Sequence, residues 1–201
     1  GVSKDDTVIS QLLERQEFKC VVVDAPFVNE NTSFITIDHR RAQYEVAKKT
    51  IQENKCKSVL YLAGKRNSYV TDERLLGMQQ LAKELSLSVL VKNGDFSELQ
   101  ARNLTLKYAK KKDAVVCASD LMAIGAMKAL IKMDIFRPVC GFDGIILMGY
   151  VGKQMNTVSQ NFSGLSRKAM EELSLLLSGE KGRKVICEHT LVRMKYEDII
   201  C

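Results

Sequence analysis

Four aspartates stand where short apolar runs stop. Asp24 follows FKCVVV, Asp38 follows FITI, Asp120 follows VVCAS, and Asp143 follows PVCGF. A carboxylate accepts hydrogen bonds and donates none when ionised, so a group of them suits a ligand rich in hydroxyl or N–H donors. Arg74, expected in the first turn of a helix that follows a strand and loop, would add a planar fork of donors. Ser119 adds a hydroxyl beside Asp120, and Phe96 and Phe162 could supply flat apolar walls. That mixture fits a polyol or a heterocycle. No nucleophile is paired with a base, so these residues point to a site that holds a molecule and does not transform it.

Each residue also has a structural reading. Ser119 or Asp120 can cap the helix that starts there, Asp24 can fix the turn before Pro26, and Asp38 can be purely structural. Arg74 can be a surface helix residue, and the two phenylalanines can be core. Asp143 is the hardest to explain in this way, because it sits in a strand-to-loop corner just after Gly141, where no helix asks for a cap.

The elements that must position these residues centre on residues 115–144. VVCA is an unbroken apolar run, the mark of a strand buried on both faces. The next segment places Met122, Ala123, Ala126, Met127 and Leu130 on one helical face. PVCGF is a second strand. In open parallel sheets, ligands bind at the carboxyl ends of the strands, where Asp120 and Asp143 lie. The pattern repeats elsewhere. Strands are expected at 18–23, 34–37, 58–63, 88–91, 155–159 and 185–193. Helices are expected from Asp5-Asp6 over Val8–Leu13, at 40–53, after a Thr71 cap, at 97–112, at 145–150, and from a Ser163 cap to Leu177, with a loop at 152–154. Strands and helices that alternate with short connections predict an α/β fold with Rossmann-like parallel sheets and flanking helices.

The 201 residues suffice for a sizeable core, and 46% hydrophobic with 27% charged residues is ordinary for a globular chain. No apolar run approaches the roughly 20 residues that span a bilayer, and no secretory leader is visible. The net charge of +6 is modest, and the one tight basic run, Lys110-Lys111-Lys112, reads as a solvated helix end. The six cysteines form no C-x-x-C pair. They read as reduced thiols of a cytoplasmic protein, and with His39 and His189 as the only imidazoles no zinc site is expected. A Mg²⁺ phosphotransferase could also use clustered aspartates, but such sites want two acids close in sequence. Neither a G-x-x-x-x-G-K-[ST] loop nor a G-x-S-x-G elbow is present.

Taken together, these segments resemble the effector-binding domain of LacI/GalR-type transcriptional regulators, which shares the fold of type I periplasmic sugar-binding proteins. SDLMAIGAMKAL resembles the family's (N/S)D-x-MA-x-GA-x-x-AL segment, and VCGFDG its V-x-GFD strand. VVVDAPF, ITIDHRRAQYEVAKKTIQENKCKSVLYLAGK, TDERLLGMQQLAKE, NTVSQNF and HTLVRM follow in the family's order. The resemblance implies two lobes with a small-molecule effector between them, a sugar or nucleoside-like ligand, and no cofactor. It places Gly1 just after the third strand of the first lobe. Residues 1–30 and 160–180 would then be a remnant of an incomplete N-terminal lobe, and 33–158 with 184–196 the C-terminal lobe. A homodimer is implied, with operator DNA read only through a helix-turn-helix outside this chain. Such a piece would expose apolar surface and favour association. Carried over by position, Asp143, Arg74, Asp24 and Ser119 match polar effector contacts, Phe96 and Phe162 match apolar walls, and Asp120 neighbours them. Ser119 stands where Asn is common, Gly144 replaces a frequent second Asp, and Lys153-Gln154 replaces Pro-Pro. GFDG also occurs in transport-type binding proteins, so a periplasmic solute-binding protein for uptake is the alternative.

Overall fold

The computed structural model describes residues 7–15, 18–145 and 155–194. The expected short helix at 145–150 and the loop at 152–154 lie outside the described residues, apart from Ile145.

The unbroken apolar runs become the buried strands. Strand β3 (Ser58–Ala63) is buried along all but its first residue and β5 (Ala114–Cys117) along its whole length. With β4 (Ser88–Asn93), β6 (Val139–Cys140), β7 (Met155–Ser159) and β9 (Thr190–Met194) they form a six-stranded sheet in the order β4-β3-β5-β6-β7-β9. Every pairing in it is parallel except the last, β7 with β9. A second sheet of three parallel strands has the order β1-β2-β8, from Cys20–Val23, Thr32–Ile37 and Lys184–Cys187.

Strand membership differs from the expectation in two places. The strand that ends at Ile37, expected with the larger lobe, pairs with β1 and β8 in the small sheet. The run expected as one strand at 185–193 breaks at Glu188-His189, and its halves join different sheets. Apolar patterning marks a strand but not its partner, because parallel pairing is settled by residues far apart in sequence.

Among the described residues six α-helices cover the sheets: α1 (Thr7–Glu14), α2 (His39–Glu53), α3 (Tyr69–Glu84), α4 (Glu98–Tyr108), α5 (Asp120–Lys132) and α6 (Phe162–Leu177). Four of their starts are fixed by side chains that accept a backbone N–H: Asp38 from Arg41, Ser97 from Gln100, Ser119 from Met122 and Asn161 from Gly164. Thr71 and Ser163 are not caps. Helix α3 starts earlier, after Ser68, and α6 is capped by Asn161, which adopts a left-handed φ of 48°. Arg74 therefore stands in the second turn of α3, not the first.

Helices α2 and α3 touch where Gly77 lies. A Cβ there would sit 2.2 Å from the carbonyl oxygen of Arg40, so only glycine permits this approach. The approach brings the start of α2 against the face of α3 that carries Arg74. The chain crosses from small sheet to large through α2, back through α6, and out again between β8 and β9. Around the small sheet Val23 is 45% exposed, Ile186 57% and Met170 of α6 66%, so apolar surface faces solvent there. The described cysteines are free thiols.

Candidate functional site

The carboxyl ends of β1 and β2 meet those of β5 and β6 across a small group of side chains. Each strand delivers its terminal carboxylate to that edge, because a parallel sheet puts all such ends on one side. The residues brought together are Asp24, His39, Arg74, Phe142, Asp143 and Gln160.

Asp24 ends β1 with φ 54°. It accepts from Thr36 Oγ1 at 2.7 Å and pairs with His39 Nε2 at 2.8 Å. His39 opens α2 and is 1% exposed. Its other nitrogen, Nδ1, lies 3.3 Å from both Nε and Nη2 of Arg74. A guanidinium only donates, so Nδ1 must accept, and the ring proton sits on Nε2 and is donated to Asp24. His39 is thus held neutral as one tautomer. Burial is the main reason its pKa falls below the usual value; Arg74 pushes the same way, while Asp24 opposes both. Asp24 has its charge disfavoured by burial, but the hydrogen bonds from His39 and Thr36 and the nearby Arg74 guanidinium outweigh that and hold its pKa low.

Arg74 is 3% exposed. Its Nη1 donates to the carbonyl of Ala118 at 2.5 Å and lies 3.5 Å from Asp143 Oδ1, and its guanidinium carbon sits 3.7 Å above the centre of the Phe142 ring. A buried guanidinium stacked on a ring face and hydrogen-bonded at its edge is held in one place. Burial lowers its pKa, and Asp143, Tyr61 and Asp24 act against that.

Asp143 follows β6 with φ 124°, a conformation that side chains other than glycine seldom take. Its Oδ1 accepts from Gln160 Nε2 at 2.7 Å. Burial pushes its pKa up to about 6, with Arg74 pulling down and Asp120 pushing further up. The carboxyl side chains of Asp143 and Asp24 are 23% and 25% exposed, while that of Arg74 is 4% exposed. The group therefore turns acceptors, not its cation, toward solvent.

Asp120 stands one strand away and is wholly buried. It accepts from Thr157 Oγ1 at 2.6 Å and from the backbone N–H of Ile145 at 2.9 Å. Burial raises its pKa; Thr157, Ile145 and Gly144 counter this. Gly141 is small because of it, since a Cβ there would lie 2.1 Å from Asp120 Oδ1. Asp120 ties the β5–α5 corner to β7, and it does not cap α5. Ser119 does, accepting from Met122 N at 3.3 Å, and is 3% exposed. Asp38 also caps, bonded to Arg41 N at 2.9 Å.

Phe96 has φ 59° and covers Gly64, where an added Cβ would meet its ring at 2.0 Å. Phe162 is the first residue of α6, two positions after Gln160, and is 55% exposed. Four contributors were not anticipated: His39, Phe142, Thr157 and Gln160. His39 carried a signal, since it directly follows the carboxylate that ends β2. Among the described residues no three His, Cys, Asp or Glu side chains are grouped to hold a metal ion. No helix among them is long and apolar enough to cross a membrane.

The comparisons with known proteins bear on the fold and the family. Residues 49–193 match the model of the periplasmic binding protein-like domain. The chain is 27% identical over 141 residues to the ribose operon repressor of Halalkalibacterium halodurans, covering 67% of this chain and 42% of that protein. It is 26% identical over 195 residues to the HTH-type transcriptional repressor PurR of Histophilus somni, covering 92% and 57%. The chain thus spans about half the length of these curated relatives. Among solved structures, a complex of the transcriptional regulator CelR with cellobiose superposes with a TM-score of 0.85 at 22% identity, covering 96% of this chain and 63% of that one. That likeness shows the same fold.

Proposed function

We propose, from the premise that this chain belongs to the periplasmic binding protein-like domain family, that it is the effector-sensing part of a LacI-type transcriptional regulator. A small molecule is held between the two sheets, and its binding biases how they close. In a homodimer that bias alters operator binding by a helix-turn-helix outside this chain, in the cytoplasm. The role is binding, not catalysis. The curated relatives described above are regulators, which favours this reading over solute uptake.

One observation carries it. The chain of contacts Asp24–His39–Arg74–Asp143 runs from the end of the small sheet to the end of the large one. A ligand that engages the two exposed carboxylates touches both sheets at once and so senses their separation. Asp143 and Asp24 are the polar residues assigned to the effector, with Phe96 and Phe162 as apolar walls and the buried Arg74, Ser119 and Asp120 as support behind them. The guanidinium of Arg74 is already occupied by Ala118, His39 and Phe142. No free cation among these residues faces the ligand, so a neutral molecule with several hydroxyl or N–H donors, a sugar or nucleoside, is favoured over a phosphorylated one.

A thermal-shift screen of this chain against neutral sugars, sugar phosphates and nucleosides tests the assignment. A ligand at 100 times its Kd stabilises by about 2.7 kcal/mol, which for a chain of this size raises Tm by roughly 5–10 °C. The expected result is such a shift from a neutral polyol or nucleoside. A shift from phosphorylated compounds alone, or from none, would contradict it.

A further inference from the structure

His39 stands at the seam between the two sheets. It opens α2, directly after β2 of the small sheet and the cap Asp38. From the small-sheet side, Asp24 at the end of β1 meets its Nε2 at 2.8 Å. From the large-sheet side, α3 brings two nitrogens of Arg74 to 3.3 Å from Nδ1. The rings of Phe142 and Tyr69 lie 5.7 Å and 6.3 Å from it between centres, and its side chain has no exposed surface. Each ring nitrogen thus serves one side of the seam.

Two donors converge on one oxygen of Asp24. Thr36 Oγ1 and His39 Nε2 both reach Oδ1, which leaves Oδ2 to a ligand. On the other side, Nδ1 holds the guanidinium that lies against Ala118, Phe142 and Asp143. This arrangement suits one protonation state only. A guanidinium has no acceptor to offer, so a second ring proton, on Nδ1, would set donor against donor and cation against cation. Burial opposes that proton most and Arg74 opposes it too, whereas Asp24 and Glu73 favour it. Glu73 is itself bonded to Arg40, and Asp143 lies on the far side of Arg74. A doubly protonated ring would therefore keep Asp24 and let go of Arg74.

We propose that His39 is the positioning residue of the candidate site. Its neutral ring ties Oδ1 of Asp24 to the Arg74 guanidinium, so that Oδ2 of Asp24 and the Asp143 carboxylate face one ligand at a fixed separation. Protonation of Nδ1 breaks this tie between the sheets. The role presupposes that those two carboxylates receive the effector, while the tie itself can be read without one.

The test is an NMR titration of the ¹³C,¹⁵N-labelled chain, without ligand, from pH 8 to pH 4.5. At pH 8 the ring should be the Nε2–H tautomer, with Nδ1 at the resonance of an acceptor nitrogen. On acidification, one step with its midpoint on the acid side of about 6.5 should move the His39 ring and the Arg74 Nε–H together. The Ser119 amide, which shares a peptide group with the Ala118 carbonyl, should follow the same step. Asp143→Asn should retain this coupled step, which sets it apart from the titration of Asp143 and from the effector assignment. His39→Gln can carry an N–H to the place of Nε2, and His39→Asn cannot. Neither variant should show the step at Arg74 and Ser119. The Asp24 carboxyl should keep its low midpoint in His39→Gln and rise by about one unit or more in His39→Asn. A ring buried for packing alone would titrate without moving Arg74, and the two variants would treat Asp24 alike. The wild-type titration decides on its own if a variant fails to fold. An Nδ1–H tautomer at pH 8, no ring protonation above pH 4.5, ring protonation that leaves Arg74 and Ser119 unmoved, or equal Asp24 midpoints in the two variants would each overturn the proposal.

Discussion

The end of β5 and the end of β6 carry the same functional group in two different states of completion. Asp120 and Asp143 are both aspartates at the carboxyl edge of one sheet, and burial raises the pKa of both. Asp120 has a hydroxyl and a backbone N–H bonded to it and no exposed surface. Asp143 holds one amide, lies 3.5 Å from a guanidinium, and keeps 23% of its side chain exposed. Burial and a raised pKa therefore do not separate a structural carboxylate from a binding one. Unused acceptor capacity facing solvent does, and it is what a ligand can use.

That contrast can be broken by mutation, starting with the larger effect. Asp120→Ala leaves the Thr157 hydroxyl and the Ile145 N–H buried without an acceptor, at about 1–3 kcal/mol each. Urea unfolding should show a loss of roughly 2–6 kcal/mol, summing those two groups. A loss under about 1 kcal/mol would mean that Asp120 is not the tie between β5 and β7.

Asp143→Asn should act in the opposite direction on the ligand-free chain. A carboxyl whose folded pKa is raised binds its proton more tightly in the folded state. Its favourable contribution is present below the unfolded value and is lost as pH rises through about 6. At pH 8 the ionised group thus destabilises the fold, and the neutral amide relieves this by up to about 3 kcal/mol, taking 1.36 kcal/mol per pKa unit. His39 has a lowered pKa, so its contribution is lost as pH falls below about 6.5, but it is common to both chains and drops out of the difference. Equal stability of the two chains at pH 5 and at pH 8 would show that Asp143 is not strained by burial.

Effector affinity should follow the same ionisation. The charged carboxylate accepts the ligand's donors, so affinity should be constant above about pH 7 and fall by about tenfold per unit below 6. A flat profile from pH 5 to 8 would remove Asp143 from the ligand's contacts. The smallest change is Asp38→Ala. This third strand-end aspartate caps α2 and does nothing else in the cluster, so its loss should cost about 1 kcal/mol of stability and leave effector affinity unaltered.

Much of the fold could be read from the residues. SVLYLA and AVVC bury both faces and could only be inner strands, and Ser97 and Ser119 cap the helices expected after them. The sheet to which β2 and β8 belong could not be read, because a parallel neighbour is chosen by packing over long separations. In the candidate site, Asp143, Asp24 and Arg74 were visible as strand-end acids and a nearby guanidinium. His39 and Gln160 were not. Each matters only through a partner 15 or 17 positions away, Asp24 for one and Asp143 for the other, and no local pattern announces such a pairing. Ser119 shows the converse, because its side chain spends itself on the Met122 N–H, a duty that the sequence alone had already allowed.

The most direct measurement is a calorimetric titration, at pH 7.5, of the best neutral ligand from the screen into the wild-type chain and into Asp143→Asn. The predicted result is saturable binding by the wild type, unchanged binding in Asp38→Ala, and at least a hundredfold loss in Asp143→Asn while that variant melts at or above the wild-type temperature. Binding of equal strength in Asp143→Asn would contradict the account, because the carboxylate at the end of β6 would then hold nothing.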